Sequence, residues 1–292
     1  MDSVKRAALA GQWYPGDRSS LEREVSDYIR QASVPETQDD IVAVMSPHAG
    51  YAYSGHVAGY SFRALQGRDF DTVIVVAVCH TGRARASILD VDAYETPLGR
   101  IDIDRELVGE LQRRLPMLSY VEAAHGGGGG RSENSAELQI PFIQVALPGS
   151  RVVEILIGGE DQTLCDEIGN SLASVVREHS EKRVAFVASS DMTHYPPYAH
   201  ATRIDRAALE SLVSLDEDHI RKRLRDLESE PVADLHCVLC GKGAVLTTLR
   251  AAKELGADRA EILEYRNSGD ASFGSREGVV GYGSIAVYRS AA

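Results

Sequence analysis

Four stretches of this chain, Ile41–Met45, Thr72–Val78, Arg151–Ile157 and Arg183–Ala188, are apolar almost without interruption. A strand with one solvated face alternates apolar and polar residues; a strand covered on both faces does not. These runs therefore belong in the middle of a sheet with helices on either side. The intervening segments have helical spacing near 55–66, 104–115, 135–147, 162–179, 201–213, 216–228 and 238–255, with Asp104, and Asp161 or Thr163, as starting residues. A short strand near 86–92 precedes the turn Thr96-Pro97-Leu98-Gly99, and the chain closes with β-prone stretches near 260–266 and 279–289. The pattern predicts an α/β protein: a three-layer α/β/α sandwich around a central, mostly parallel or mixed sheet. No repeat or Pro/Ser-rich linker divides it, so residues 1–292 are expected to form one domain.

Composition excludes several function classes. With 31 basic and 43 acidic residues the formal charge is −12, which disfavours phosphate backbones and anionic membranes. The densest basic run, Arg221-Lys222-Arg223 with Arg225, is interleaved with acids and reads as a solvated helix face. Neither nucleic acid nor a membrane is expected as a partner. No apolar run approaches the roughly 18 residues of a membrane span. Four cysteines in a chain of this length do not form a disulfide framework. The expected compartment is a reducing cytoplasm.

In open α/β sheets, ligands bind beyond the carboxyl ends of the strands. Three of the strands end in chemically capable residues: the first at His48, the second at Cys79-His80-Thr81-Gly82, the fourth at Ser189-Ser190-Asp191-Met192-Thr193-His194-Tyr195. If these strands are parallel neighbours, His48, His80, Asp191 and His194 share one crevice. Neutral imidazole is the commonest nitrogen ligand of transition metals, usually completed by a carboxylate or thiolate. His56, ten residues beyond the strand, falls on the following helix and outside the site.

The segment His236-Cys237-Val238-Leu239-Cys240-Gly241 places a Cys-x-x-Cys beside a predicted helix start. A redox pair or half of a structural zinc site would use that spacing, but no second pair completes a zinc site. A helix beginning near Cys240 would favour its thiolate, making it a candidate soft ligand; the alternative is a small buried hydrophobe. Glu133 and Glu137, four residues apart, are expected on one helix face, as available carboxylates or as solvated residues. Gly126–Gly130 lacks the Lys-Ser/Thr of a phosphate loop and is expected to be a mobile loop at about 125–132, a possible lid. Hydrolase signatures are weak: there is no Gly-x-Ser-x-Gly and no His-Glu-x-x-His.

Taken together, the segments resemble the Memo family, whose prokaryotic members are labelled AmmeMemoRadiSam system protein B and are similar to class III extradiol dioxygenases. The resemblance runs in order through Gly11-Gln12-Trp13-Tyr14-Pro15, Pro47-His48-Ala49-Gly50-Tyr51, His80-Thr81-Gly82 and Glu95-Thr96-Pro97-Leu98-Gly99. It continues through Glu137-Leu138-Gln139-Ile140-Pro141-Phe142, Ser189-Ser190-Asp191-x-x-His194 and Cys240-Gly241. It implies a metal bound by His48, His80 and Cys240, with Fe(II) expected and copper or zinc as alternatives. It further implies His194 as acid–base with Asp191 as its hydrogen-bonding partner; in the mechanism expected here Asp191 sets the tautomer, and Tyr51, Tyr53 and Tyr195 line a substrate pocket. The implied partners are dioxygen and a small organic substrate, aromatic by analogy with the dioxygenases. The chain departs from the family pattern at Cys79, Asn134 and Gly243. Three functions stay open: an iron-dependent oxidoreductase, a non-catalytic metal-binding or signalling protein, and a metal-assisted hydrolase.

Overall fold

The computed structural model describes residues 2–126 and 133–291; most of the glycine run and its proposed lid lie outside the described residues. The order of elements is β1 (Val4–Arg6), α1 (Arg18–Gln31), β2 (Asp40–Ser46), α2 (Tyr51–Leu65), β3 (Thr72–Val78) and β4 (Ala86–Ile88). Next come β5 (Ala93–Thr96), β6 (Gly99–Asp102), α3 (Arg105–Arg114), α4 (Ile140–Ala146), β7 (Arg151–Ile157) and α5 (Gln162–Glu178). The chain ends with β8 (Val184–Ser189), α6 (Tyr198–Leu212), α7 (Glu217–Glu228), α8 (Lys242–Glu254), β9 (Arg259–Asn267) and β10 (Gly281–Arg289).

The main sheet has seven strands in the order β4-β7-β3-β8-β2-β10-β9. The four apolar runs are its parallel centre, β7-β3-β8-β2, and the antiparallel strands β4 and β10-β9 close the two sides. Helix α2 packs on β2, β9 and β10, backed by α1 and α4, while α8 packs on β2, β3, β7 and β8, backed by α5. Covered on both faces, Val73 through Ala77 are fully buried, as uninterrupted apolar strands require. The α/β sandwich expected from the sequence is thus observed, with a mixed sheet.

Helix α1 is not among the helices expected from the sequence, although Leu21, Val25 and Ile29 form its buried stripe and the Asp17 carboxylate caps it by accepting from Ser20 N–H. A second, three-stranded sheet, β1-β5-β6, is also additional. The turn at Thr96–Gly99 joins two of its strands. The helix expected at 135–147 begins instead with a 3-10 turn at Glu137–Gln139 before α4. Glu137 is buried, not solvated: it accepts from Ala8 N–H at 2.9 Å, Leu9 N–H at 2.8 Å, the Tyr14 hydroxyl at 2.8 Å and the Tyr94 hydroxyl at 3.1 Å. It pins the amino-terminal segment to the core. No described helix is long and apolar enough to cross a membrane.

One residue of β7 breaks the apolar run. Glu154 is fully buried and takes Lys5 Nζ at 2.9 Å and His125 Nδ1 at 2.6 Å. Burial alone would raise its pKa, but the charges and hydrogen bonds of Lys5 and His125 outweigh it and hold the carboxyl at about 2. Because that value lies below the ordinary 4.5, Glu154 contributes stability that is present above pH about 4.5 and lost as pH falls toward 2. Glu154→Gln leaves Lys5 without its counter-charge and is expected to lower unfolding free energy at pH 7 by about 2–4 kcal/mol. Urea unfolding of the variant should also lose part of the wild-type dependence on pH below 4.5.

Candidate metal centre

The parallel register builds the site. In β8, Ser189 pairs with Ser46 of β2 on one side and with Ala77 of β3 on the other. The chains leaving these three levels carry His48, His80 and Asp191 to the same end of the sheet. Cys240 arrives just before α8, drawn in by Cys240 N–H donating to Asp191 O at 3.2 Å and Gly241 N–H to Ser190 Oγ at 2.8 Å.

One donor atom from each of His48, His80 and Cys240 lies within 4.8 Å of the others. Cys240 Sγ is 3.3 Å from His48 Nε2, and the two imidazoles stand nearly perpendicular, centroids 5.2 Å apart. Donors on a tetrahedral first-row metal are about 3.3–3.6 Å apart given bonds of about 2.0–2.3 Å, so the sulfur–nitrogen spacing fits an ion. His48 Nδ1 meets Ser189 Oγ at 3.0 Å and His80 Nδ1 meets Glu133 Oε1 at 2.9 Å. Each ring thus spends its Nδ1 on the protein and keeps Nε2 for a ligand.

The electrostatics agree with this use. Burial, then the neighbouring His80, holds the His48 imidazole neutral well below its ordinary range. Burial also pushes the Cys240 thiol well above its ordinary value, with Asp191 and Cys237 adding to it, so its thiolate requires a cation beside it. This corrects the expectation of a dipole-lowered thiol: α8 starts at Lys242 with Gly241 as its cap, and Cys240 lies outside it. The Asp191 N–H points at Cys240 Sγ from 3.3 Å, suited to a coordinated thiolate. Cys237 is outside the cluster, its Sγ 4.0 Å from Met192 O, and burial raises its thiol to about 12.

The remaining expected residues divide. Asp191 is buried and accepts from His48 N–H at 2.8 Å, with Oδ2 4.0 Å from His48 Nε2; burial pushes its carboxyl up to about 6. It has no hydrogen bond to His194, so it fixes the His48 loop and does not set the His194 tautomer. The His194 ring is largely buried, its Nε2 has no partner among the described residues, and burial lowers its pKa. Tyr51 does not line a pocket: its ring stacks on Tyr14 at 5.3 Å and its hydroxyl donates to Leu138 O at 2.8 Å inside the core. Tyr53 and Tyr195 are exposed, one against Phe273 and the other between His194 and His236. Tyr195 has φ +73°, a left-handed backbone that costs a non-glycine residue about 1 kcal/mol or more. Glu133 was expected on a helix face with Glu137; it lies before the 3-10 turn, buried against His80. Its adjacency to the glycine run is a weak signal for that role. Cys79 is buried, its Sγ 3.3 Å from Thr81 Oγ1.

A model of the Memo family, described as Memo-like protein, matches residues 5–286. The chain belongs to the Memo family. Among relatives, a MEMO1 family protein of Methanosarcina barkeri is 35% identical over 285 residues, covering 97% of this chain and all of the relative. One from Nitrosopumilus maritimus is 32% identical over 288 residues, with 97% and 98% covered. A crystal structure of an uncharacterized protein from Escherichia coli K12 superposes with a TM-score of 0.54 at 16% identity, covering 85% of this chain and 99% of that one. That likeness shows the shared fold alone.

Close packing around the site makes a further prediction. A Cβ on Gly241 would lie 2.6 Å from Ser189 O and 2.8 Å from Ser190 Cβ, whereas one on Gly109 in α3 meets nothing within 4 Å. Gly241→Ala should cost about 1–3 kcal/mol and Gly109→Ala should add about 0.5–1 kcal/mol, measured by urea unfolding.

Proposed function

We propose that the protein is a non-haem iron oxidoreductase that activates dioxygen on a small organic substrate. The observation that carries this reading is the convergence of one donor atom from each of His48, His80 and Cys240 within 4.8 Å of one another, with an open side. The His80 side chain is 29% exposed while His48 is buried, so the approach is past His80. Fe(II) held by His48, His80 and Cys240 would supply redox chemistry and open positions for dioxygen and substrate. Copper or zinc suits the same donors; iron is favoured by the resemblance to extradiol dioxygenases, which also supports a catechol-like substrate.

The protein's own contribution is orientation and proton transfer. Burial keeps His194 neutral near pH 7, with the unpartnered Nε2 as the atom that accepts and returns a substrate proton. Asp191, gripping the backbone of His48, keeps that ligand at the head of β2. Tyr53 and Tyr195 offer exposed rings, that of Tyr195 beside His194, as surfaces for the substrate.

Protein purified without oxygen should carry iron, and Cys240→Ser should lose it. His194→Ala should keep the metal and lower dioxygen consumption with simple catechols by about 100-fold or more. Full zinc occupancy indifferent to Cys240→Ser contradicts the centre, and unchanged turnover in His194→Ala contradicts the acid–base role.

A further inference from the structure

We propose that Glu133 and Ser189, joined through the short strap Glu133-Asn134-Ser135, are positioning residues that select the metal-binding tautomer of both imidazoles. The inference rests on the reading of His48, His80 and Cys240 as ligands and adds what prepares them.

The strap has neither strand nor helix period, and each residue is tied to a loop that carries a ligand. Glu133 is buried, and its Oε2 accepts from His80 N–H at 2.6 Å while Oε1 faces His80 Nδ1 at 2.9 Å and accepts from Ser135 N–H at 3.1 Å. Asn134 Nδ2 donates to His48 O at 3.0 Å. Ser135 Oγ donates to Val78 O at 2.6 Å, fastening the strap to the end of β3.

Counting protons fixes both rings. An ionised carboxylate only accepts, so His80 Nδ1 must carry the hydrogen and Nε2 the lone pair. Ser189 has a single hydroxyl proton, which goes to Ser135 O at 2.5 Å. Its oxygen also accepts from Gln139 Nε2 at 2.8 Å. The remaining contact, His48 Nδ1 at 3.0 Å, is therefore an N–H donated to the hydroxyl, and His48 also keeps its lone pair on Nε2. A continuous chain runs from His80 through Glu133, the backbone N–H and C=O of Ser135, and Ser189 to His48. Bonds from a ligating histidine's second nitrogen fix its tautomer and orientation.

An amide cannot take the place of this carboxylate. Both Glu133 oxygens face N–H donors, so Gln at 133 must turn its NH2 toward either His80 N–H or His80 Nδ1. The second arrangement moves the ring proton to Nε2 and blocks ligation; the first sets two donors against each other.

Cobalt(II) titration of the full chain, read by the thiolate charge-transfer band and the visible ligand-field bands, tests the assignment. Glu133→Gln and Ser189→Ala should each weaken cobalt binding by about 10–100-fold. In a His80→Ala background Glu133→Gln should cost no more than about twofold, and in a His48→Ala background the same should hold for Ser189→Ala, because each acts through its imidazole. Equal weakening with and without the histidine would mark a merely structural role and overturn the inference, as would single variants that bind like the wild type. If Glu133→Gln does not give a cooperative melt, Ser189→Ala with its His48→Ala partner decides the outcome. Failure of the ligand reading is separate: the wild type would then not bind cobalt, or would bind it unchanged in His80→Ala and Cys240→Ser.

Discussion

The molecule depends on the pairing of β8 between β2 and β3. Ser189 lies level with both Ser46 and Ala77, and that single level sets where three loops leave the sheet. His48 follows two residues after Ser46, His80 three after Ala77 and Asp191 two after Ser189. A one-residue slip of any of these strands would turn its side chains to the opposite face and scatter the candidate ligands. The strands can hold one register because both faces are buried, which is also why they are apolar throughout. The candidate metal centre and the hydrophobic core thus share one cause.

Around that frame, buried carboxylates act as long-range ties. Glu137 pins the amino-terminal segment, Glu154 matches Lys5 and His125, Asp191 grips the His48 backbone and Glu133 holds His80. A buried charge left without partners is costly, so each tie leaves its neighbours one good arrangement. Glu133 and Asp191 thereby organise the donors at the sheet end, and Cys240 reaches them because Gly241 has no side chain to strike Ser189 and Ser190. Relatives of the Memo family align over nearly the whole of this chain.

Much of this was legible in the sequence, and the limits have physical reasons. The four central strands and the convergence of His48, His80 and Asp191 follow from uninterrupted apolar runs ending in polar residues. Cys240 was readable as a candidate soft ligand beside a predicted helix start, but its grouping with the two imidazoles came from the family resemblance, since its place before α8 depends on a contact across the fold. The roles of Glu133 and Asp191 were not legible, because their partners lie 53 and 143 residues away. The four-residue spacing of Glu133 and Glu137 suggested one helix face, but the chain becomes helical only at Glu137. Tyr51 stands next to the His48 motif yet turns into the core to reach Leu138 O; adjacency in sequence did not give direction in space. Helix α1 did carry a readable stripe, Leu21, Val25 and Ile29.

The central claim is that two imidazole nitrogens and the Cys240 sulfur bind one ion. X-ray absorption of the full chain loaded with one equivalent of zinc, a redox-silent stand-in, tests it directly. The account predicts one sulfur neighbour at about 2.3 Å and at least two imidazole nitrogens at about 2.0–2.1 Å. A first shell of nitrogen and oxygen alone, with no sulfur, would contradict it.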